Sequence, residues 1–211
     1  MLILKIFSAI TFVAMLLVNY LANSIPIGGN TTGDISAKYN TLFTPSGFTF
    51  SIWLVIYVLL SVFVISIFIN PEVILTSNRL QVLILFCTVN VFNILWLLSW
   101  HNDRILLSTV FMVILLVLLL TILRFISKSD LLSYVTFSIY SGWISVALIA
   151  NIAIFIVKKD YGFFMNNQYL WLFIALGLSF IIGVYMAFKH KNYYYSAVFL
   201  WAYFGILTKL L

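Results

Sequence analysis

Residues 134–157 read YVTFSIYSGWISVALIANIAIFIV. About 20 apolar residues, at roughly 1.5 Å rise each, cross a hydrocarbon core of about 30 Å, so this stretch is long enough to span a bilayer as one helix. It also carries something that lipid does not require. Tyr140, Trp143, Ala147 and Asn151 are separated by three, four and four residues, which puts them on one helical face. An amide in mid-span is costly unless it meets another helix, a cavity or a ligand. The rest of the chain must supply that partner.

Composition sets the class. Of 211 residues, 64% are hydrophobic and 8% charged, with a mean hydropathy of +1.18. Soluble domains are about a quarter charged, so this chain lacks the polar surface to cover a water-soluble globule. Its apolar runs are continuous, unlike the short alternating segments of a membrane β-barrel. The fold class is therefore all-α, a polytopic helical membrane protein. A multi-pass integral location follows, and the bacterial cell membrane is the expected compartment.

Seven runs are expected to span, at about 3–22, 48–69, 80–100, 105–126, 134–157, 169–188 and 193–210. The first carries Lys5 early, like a secretory signal. It is longer than a signal core and lacks a small-x-small cleavage site, so it reads as a retained helix. Residues 23–46, NSIPIGGNTTGDISAKYNTLFTPS, form the longest polar stretch. Pro26, Gly28, Gly29, Gly33 and Pro45 break regular structure there. A short helix is expected near 35–42, within a loop long enough to act as a lid or gate. Asn70-Pro71 ends the second span, and 158–167 reads as a loop. The fourth run is almost pure Leu, Val and Ile, which marks it as the most lipid-exposed helix.

The net charge of +6 is spread over single or paired Lys and Arg at the ends of apolar runs. That is the pattern of interfacial snorkelling, not of a nucleic-acid surface. The acids, Asp34, Glu72, Asp103, Asp130 and Asp160, and both histidines, His101 and His190, fall in loops or at span ends. A proton-coupled carrier usually places a titratable group in mid-span, and a metal site needs clustered His, Cys or carboxylates. Neither pattern is visible, so no metal site, no cofactor and no enzyme activity are expected. Asp103 beside His101 reads as a structural cap in a tight turn. The lone Cys87, inside an apolar run, reads as a packing residue.

Amides and aromatics remain. Asn93, Trp96 and Trp100 share a face of the third run, with Asn90 one turn earlier, and Phe50, Trp53 and Tyr57 share a face of the second. Tyr and Trp bring an apolar body with one donor, which suits a flat, largely apolar ligand. The same rings also form interfacial belts, and an in-span Asn also glues helices together, so pattern alone leaves both readings open. Ser138 with Gly142, and Ser141 with Ser145, are small-xxx-small pairs that permit close helix contact.

The fifth run, from Tyr140 through Trp143 and Ala147 to Asn151, resembles the Y-x-x-W-x-x-x-A-x-x-L-N signature of the translocator protein family, also called tryptophan-rich sensory proteins. Asn93, Trp96 and Trp100 resemble its N-x-x-W-x-x-x-F motif. Gly47 to Phe50, continuing through Trp53 to Tyr57, resembles its P-P-x-W-x-F…W-x-x-x-Y stretch, and Tyr39 to Leu42 resembles its W-Y-x-x-L loop. These lie in the family's order over residues 1–157. The resemblance implies a five-helix core whose long first loop, here 23–46, caps a pocket at one end of the bundle. It implies binding of porphyrins, sterols or synthetic aromatic ligands. The chain departs from the pattern at Pro45-Ser46, where the family has two prolines, in the tighter Phe50-to-Trp53 spacing, and at Ile139, where the family has a proline. Residues 158–211 stand as an additional C-terminal helix pair, placed to cover a face that relatives use for dimerisation.

The expected function is membrane-embedded binding, with transport or sensing built on it, of a hydrophobic planar ligand such as a tetrapyrrole. The alternative is a secondary carrier for a small neutral or zwitterionic solute. The expected ligand-binding residues are Phe50, Trp53, Tyr57, Asn93, Trp96, Trp100, Tyr140, Trp143, Ala147 and Asn151. Expected partners are membrane lipid, a tetrapyrrole or sterol-like ligand and a second copy in a homodimer, with no nucleic acid.

Overall fold

The computed structural model describes residues 1–25, 29–39, 41–69, 78–159 and 162–211, with the side chains of all of these except 164–165. Within hydrocarbon every backbone polar group must be satisfied by its own segment, so each apolar run closes into a helix. The elements are α1 (Leu2–Ser24), α2 (Thr32–Tyr39), a 3-10 turn (Gly47–Ser51), α3 (Ile52–Ile69), α4 (Arg79–His101), α5 (Ile105–Phe125), α6 (Leu131–Lys158), α7 (Gly162–Asn166), α8 (Gln168–Phe188) and α9 (Tyr193–Leu210). Polar side chains set several starts. Asp130 accepts from the Ser133 amide at the head of α6, and Asn192 accepts from the Tyr195 amide at the head of α9. Such caps satisfy donors that the helix leaves over.

Helix contacts run α1 to α4, α4 to α5, α5 to α6, α6 to α3 and α3 back to α1, which closes a five-membered ring. α9 packs on the outside of α6, and α8 packs mainly on α9. The small-residue stripe of α6 makes that second layer close. A Cβ on Gly142 would lie 2.8 Å from the Tyr195 carbonyl oxygen and 3.1 Å from Val198. Asn192 donates to Ser138 Oγ at 2.9 Å, and Ser145 shares a 2.6 Å hydrogen bond with the Tyr195 hydroxyl. At one end of the ring, Phe63, Phe86 and Phe137 meet edge to face with centroids 5.1–6.1 Å apart. At the other end the ring opens into a cavity.

Among the described residues, six helical segments are long and apolar enough to cross a membrane: α1, the 3-10 turn with α3, α4, α5, α6 and α8. The expected seventh span, α9, is a helix of 18 residues, but Tyr193, Tyr194, Tyr195, Tyr203 and Lys209 make it less apolar than the others. The fourth run is not the most exposed. The windows of α1 and α8 are 22% buried against 33% for α5. α5 is wedged between α4 and α6 and buries Ser108, Met112, Leu115, Leu119 and Ile122, a stripe at four-three-four-three spacing. A Leu-rich composition hid that stripe. The loop expected over 158–167 contains α7, and the short helix of the polar stretch lies at Thr32–Tyr39, ahead of the expected 35–42. The stop at Asn70-Pro71 lies outside the described residues.

Candidate functional site

The cavity end is roofed by α2, which docks on α4 and α6. Its start is a capping box: Thr31 donates its amide to Asp34 Oδ2 at 2.8 Å, and Asp34 donates its amide to Thr31 Oγ1 at 3.2 Å. The α4–α5 turn then holds it. Asp103 sits there with φ +56, a left-handed conformation that Asp tolerates better than most residues. Its carboxylate takes Lys38 Nζ at 2.8 Å, the Tyr39 hydroxyl at 2.6 Å and Lys158 Nζ at 2.9 Å. Beside it, Thr32 Oγ1 lies 2.9 Å from His101 Nε2, and Trp100 Nε1 donates to the Thr32 carbonyl at 3.3 Å. Burial works to raise the Asp103 pKa, but the bonds from Lys38, Tyr39 and Lys158 outweigh it and hold the carboxyl at about 2. Asp103 is thus a latch for the roof, more than the local cap its sequence setting suggests.

Beneath the roof lies a cavity of about 810 Å³. It runs between α1, α2, the 3-10 turn, α3 and α4, with the end of α9 at its rim. Polar side chains line the α1 and α2 sides, among them Asn19, Asn23, Thr32 and Ser36, while Phe50, Trp53, Tyr57 and Trp96 line the other. A smaller chamber of about 40 Å³ shares Phe50, Trp53 and Trp96 with it and reaches Trp100, Trp143, Ala147 and Asn151 on α4 and α6.

The aromatic residues that the sequence marks are stacked on one another. Trp53 is the hub: Tyr57 and Trp96 lie parallel to it at 5.6 and 5.9 Å, and Tyr140 meets it edge to face at 5.9 Å. Phe50 meets Trp143 edge to face at 5.8 Å. The indole Nε1 atoms of Trp96 and Trp143 are buried and have no hydrogen-bond partner. A buried donor left unpaired costs roughly 1–3 kcal/mol, so each is a group awaiting an acceptor.

From Tyr57 and Asn19 in the cavity wall, an amide relay runs inward through four helices. Tyr57 of α3 donates to Asn19 Oδ1 of α1, Asn19 Nδ2 donates to Asn93 Oδ1 of α4, and Asn93 Nδ2 donates to the Tyr140 hydroxyl of α6, each at 2.8 Å. Asn93 and Tyr140 are fully buried. Asn90 donates to Thr11 Oγ1 at 3.2 Å, further from the cavity.

The structure therefore brings Phe50, Trp53, Trp96, Trp100, Trp143, Ala147 and Asn151 to the small chamber, and Tyr57 to the large one. Phe50 is not on the α3 helix as the spacing suggests; it lies in the preceding 3-10 turn. Asn93 and Tyr140 stand behind the wall, in the relay. Asn151 lines the chamber while accepting from Ser108 of α5 at 3.2 Å. Sequence reasoning missed Asn19, Asn23, Thr32, Ser36, Ser108 and Lys209. Asn19 carried the same signal as Asn93, an amide inside a span, and it falls at four-four-three spacing with Thr11, Met15 and Ala22 on the buried face of α1.

The family model described as TSPO-like protein, TSPO abbreviating translocator protein, matches residues 5–210. The match runs through α8 and α9, so the C-terminal pair lies within the matched region. No curated protein and no solved structure matches the chain. With a helical ring, a roofed cavity and a family match over nearly its whole length, the chain belongs to the TSPO-like protein family.

Proposed function

We propose that this membrane protein binds, without transforming it, a flat and largely apolar ligand such as a tetrapyrrole in the cavity under α2. One observation carries the reading: Phe50, Trp53 and Trp96 line both the cavity and a small chamber beside it, Trp143 lines the chamber, and the buried indole N–H groups of Trp96 and Trp143 have no partner. Rings supply stacking area at small entropic cost, and the few donors orient a polar edge. The test is quenching of tryptophan fluorescence on titrating protoporphyrin IX into the full chain in lipid nanodiscs. Saturable quenching, weakened about tenfold or more by Trp143→Ala, is the expected result. An affinity indifferent to both Trp143→Ala and Asn151→Leu counts against the site.

A second reading, a carrier for a small neutral or zwitterionic solute, draws support from the amide relay at the cavity wall. Against passage stands the Phe63, Phe86 and Phe137 plug that fills the ring beyond Tyr140. Solute counterflow into proteoliposomes separates the two readings, since binding alone produces none.

A further inference from the structure

We propose that the cavity selects a ligand bearing a carboxylate, and that Lys209 of α9 is its counter-charge; this rests on the binding reading above. Among the described residues lining the large cavity, Lys209 is the one charged side chain. Its Nζ donates to the Thr41 carbonyl at 3.0 Å. An ammonium carries three donors, so two remain. The ion pairs among the described residues both go to Asp103, from Lys38 and Lys158, and none reaches Lys209. A half-buried ammonium with no counter-ion is costly to keep.

The wall and the chamber offer donors to a carboxylate: the Lys209 ammonium at the rim keeps protons beyond its bond to Thr41, and the buried Trp96 and Trp143 indoles further in have no partner. An ionised carboxylate is an acceptor-only group of single charge. It matches one ammonium, whereas a phosphate carries more charge and oxygen atoms than one lysine and a mostly apolar wall satisfy.

Lys209 is also held in place rather than dangling. Ser46 donates its amide to the Gly205 carbonyl at 3.0 Å, Ser46 and Thr208 share a 3.1 Å hydroxyl contact, and Trp201 Nε1 donates to the Thr49 carbonyl at 2.9 Å. These bonds tie the end of α9 to the 3-10 turn that forms the cavity rim. The C-terminal pair thereby contributes a specificity residue that a five-helix core alone does not contain.

The experiment compares protoporphyrin IX with its dimethyl ester, which keeps the ring and removes both charges, on the full chain in nanodiscs. The acid is expected to bind about tenfold tighter than the ester. Lys209→Gln, which keeps a donor for the Thr41 carbonyl, brings that ratio to about one, and Lys209→Arg preserves it. Equal affinities in the unaltered chain overturn the proposal while leaving the binding reading intact. So does an acid-to-ester ratio unchanged in Lys209→Gln, including the case where both affinities fall together and the role is structural. If neither compound binds, the binding reading fails and takes this inference with it.

Discussion

Asn19 and Asn93 are 74 residues apart in sequence, and the amide of one donates to the carbonyl of the other at 2.8 Å. This bond joins α1 to α4 and centres the relay from Tyr57 to Tyr140. In a span, a polar group without a partner has no water to turn to, yet measured side-chain hydrogen bonds between membrane helices average only about 0.6 kcal/mol and reach about 1.7. The relay is cooperative in geometry, because removing Asn93 strands donors or acceptors on both neighbours. A double-mutant cycle of Asn19→Ala and Asn93→Ala is expected to give a coupling near the upper end of that range, read by reversible unfolding in mixed micelles. Strictly additive effects would mean that the bond specifies geometry without contributing stability.

Helix α9 can lie on α6 only because Gly142 has no side chain. An alanine there would push into the Tyr195 carbonyl and Val198, and a carbonyl of the facing helix cannot swing aside as a side chain can. Gly142→Ala is expected to destabilise by about 1–3 kcal/mol. Gly177 on α8 has nothing within 4 Å of such a Cβ, so Gly177→Ala is expected to be neutral or to gain up to about 1 kcal/mol from helix propensity. Thermal unfolding followed by circular dichroism distinguishes them. Similar midpoints for the two variants would show that α6 and α9 are not in close contact.

The roof latch has a calculable pH window. The Asp103 carboxyl is held down to about 2 from its ordinary 3.8, so its contribution is complete above about pH 4 and is lost as pH falls through about 2. Lys38 is raised above its ordinary 10.5 by the hydrogen bond and charge of Asp103. Its contribution is therefore complete below 10.5 and is lost only as pH rises past its folded value. The Asp103 and Lys38 share of α2 amide protection, read by hydrogen exchange corrected for intrinsic rates, is expected to stay constant between about pH 4 and pH 10. Asp103→Asn is expected to speed exchange across 32–39 at neutral pH. Unchanged protection in that variant would place the hold on α2 elsewhere, at Thr32 and Trp100.

The membrane class was legible from composition, because no arrangement of 8% charged residues covers a water-soluble domain. The stripes on α4 and α6 were legible because Asn93, Trp96, Tyr140 and Trp143 repeat at helical spacing against an apolar background. What the stripes could not reveal is which member faces ligand space and which faces another helix. Asn93 and Asn151 have the same pattern in sequence, yet one sits in a relay behind the wall and the other in the chamber lining. Lys209 ends an apolar run, and a lysine so placed usually reaches for water. Only the return of α9 to the 3-10 turn through Gly205 and Thr208 shows that this lysine reaches a cavity instead. Such long-range placement has no local signal.

The two orphaned indoles give the most direct test of where a ligand's polar edge lies. Among the tryptophans, Trp201 Nε1 already donates to the Thr49 carbonyl at 2.9 Å and Trp100 Nε1 to the Thr32 carbonyl at 3.3 Å. Trp96 and Trp143 have no acceptor. An indole proton moves downfield when it gains a hydrogen bond, so a protein labelled with nitrogen-15 at the indoles reports each donor separately. On saturation with protoporphyrin IX, the Trp96 and Trp143 resonances, assigned through Trp→Phe variants, are expected to shift downfield the most. Those of Trp201 and Trp100, whose donors are already engaged, are expected to stay close to their original positions. Shifts confined to Trp201 would put the ligand at the α9 surface and empty the chamber of its assigned role. Shifts at Trp96 alone would confine the ligand to the outer cavity, because Trp143 lines only the inner chamber.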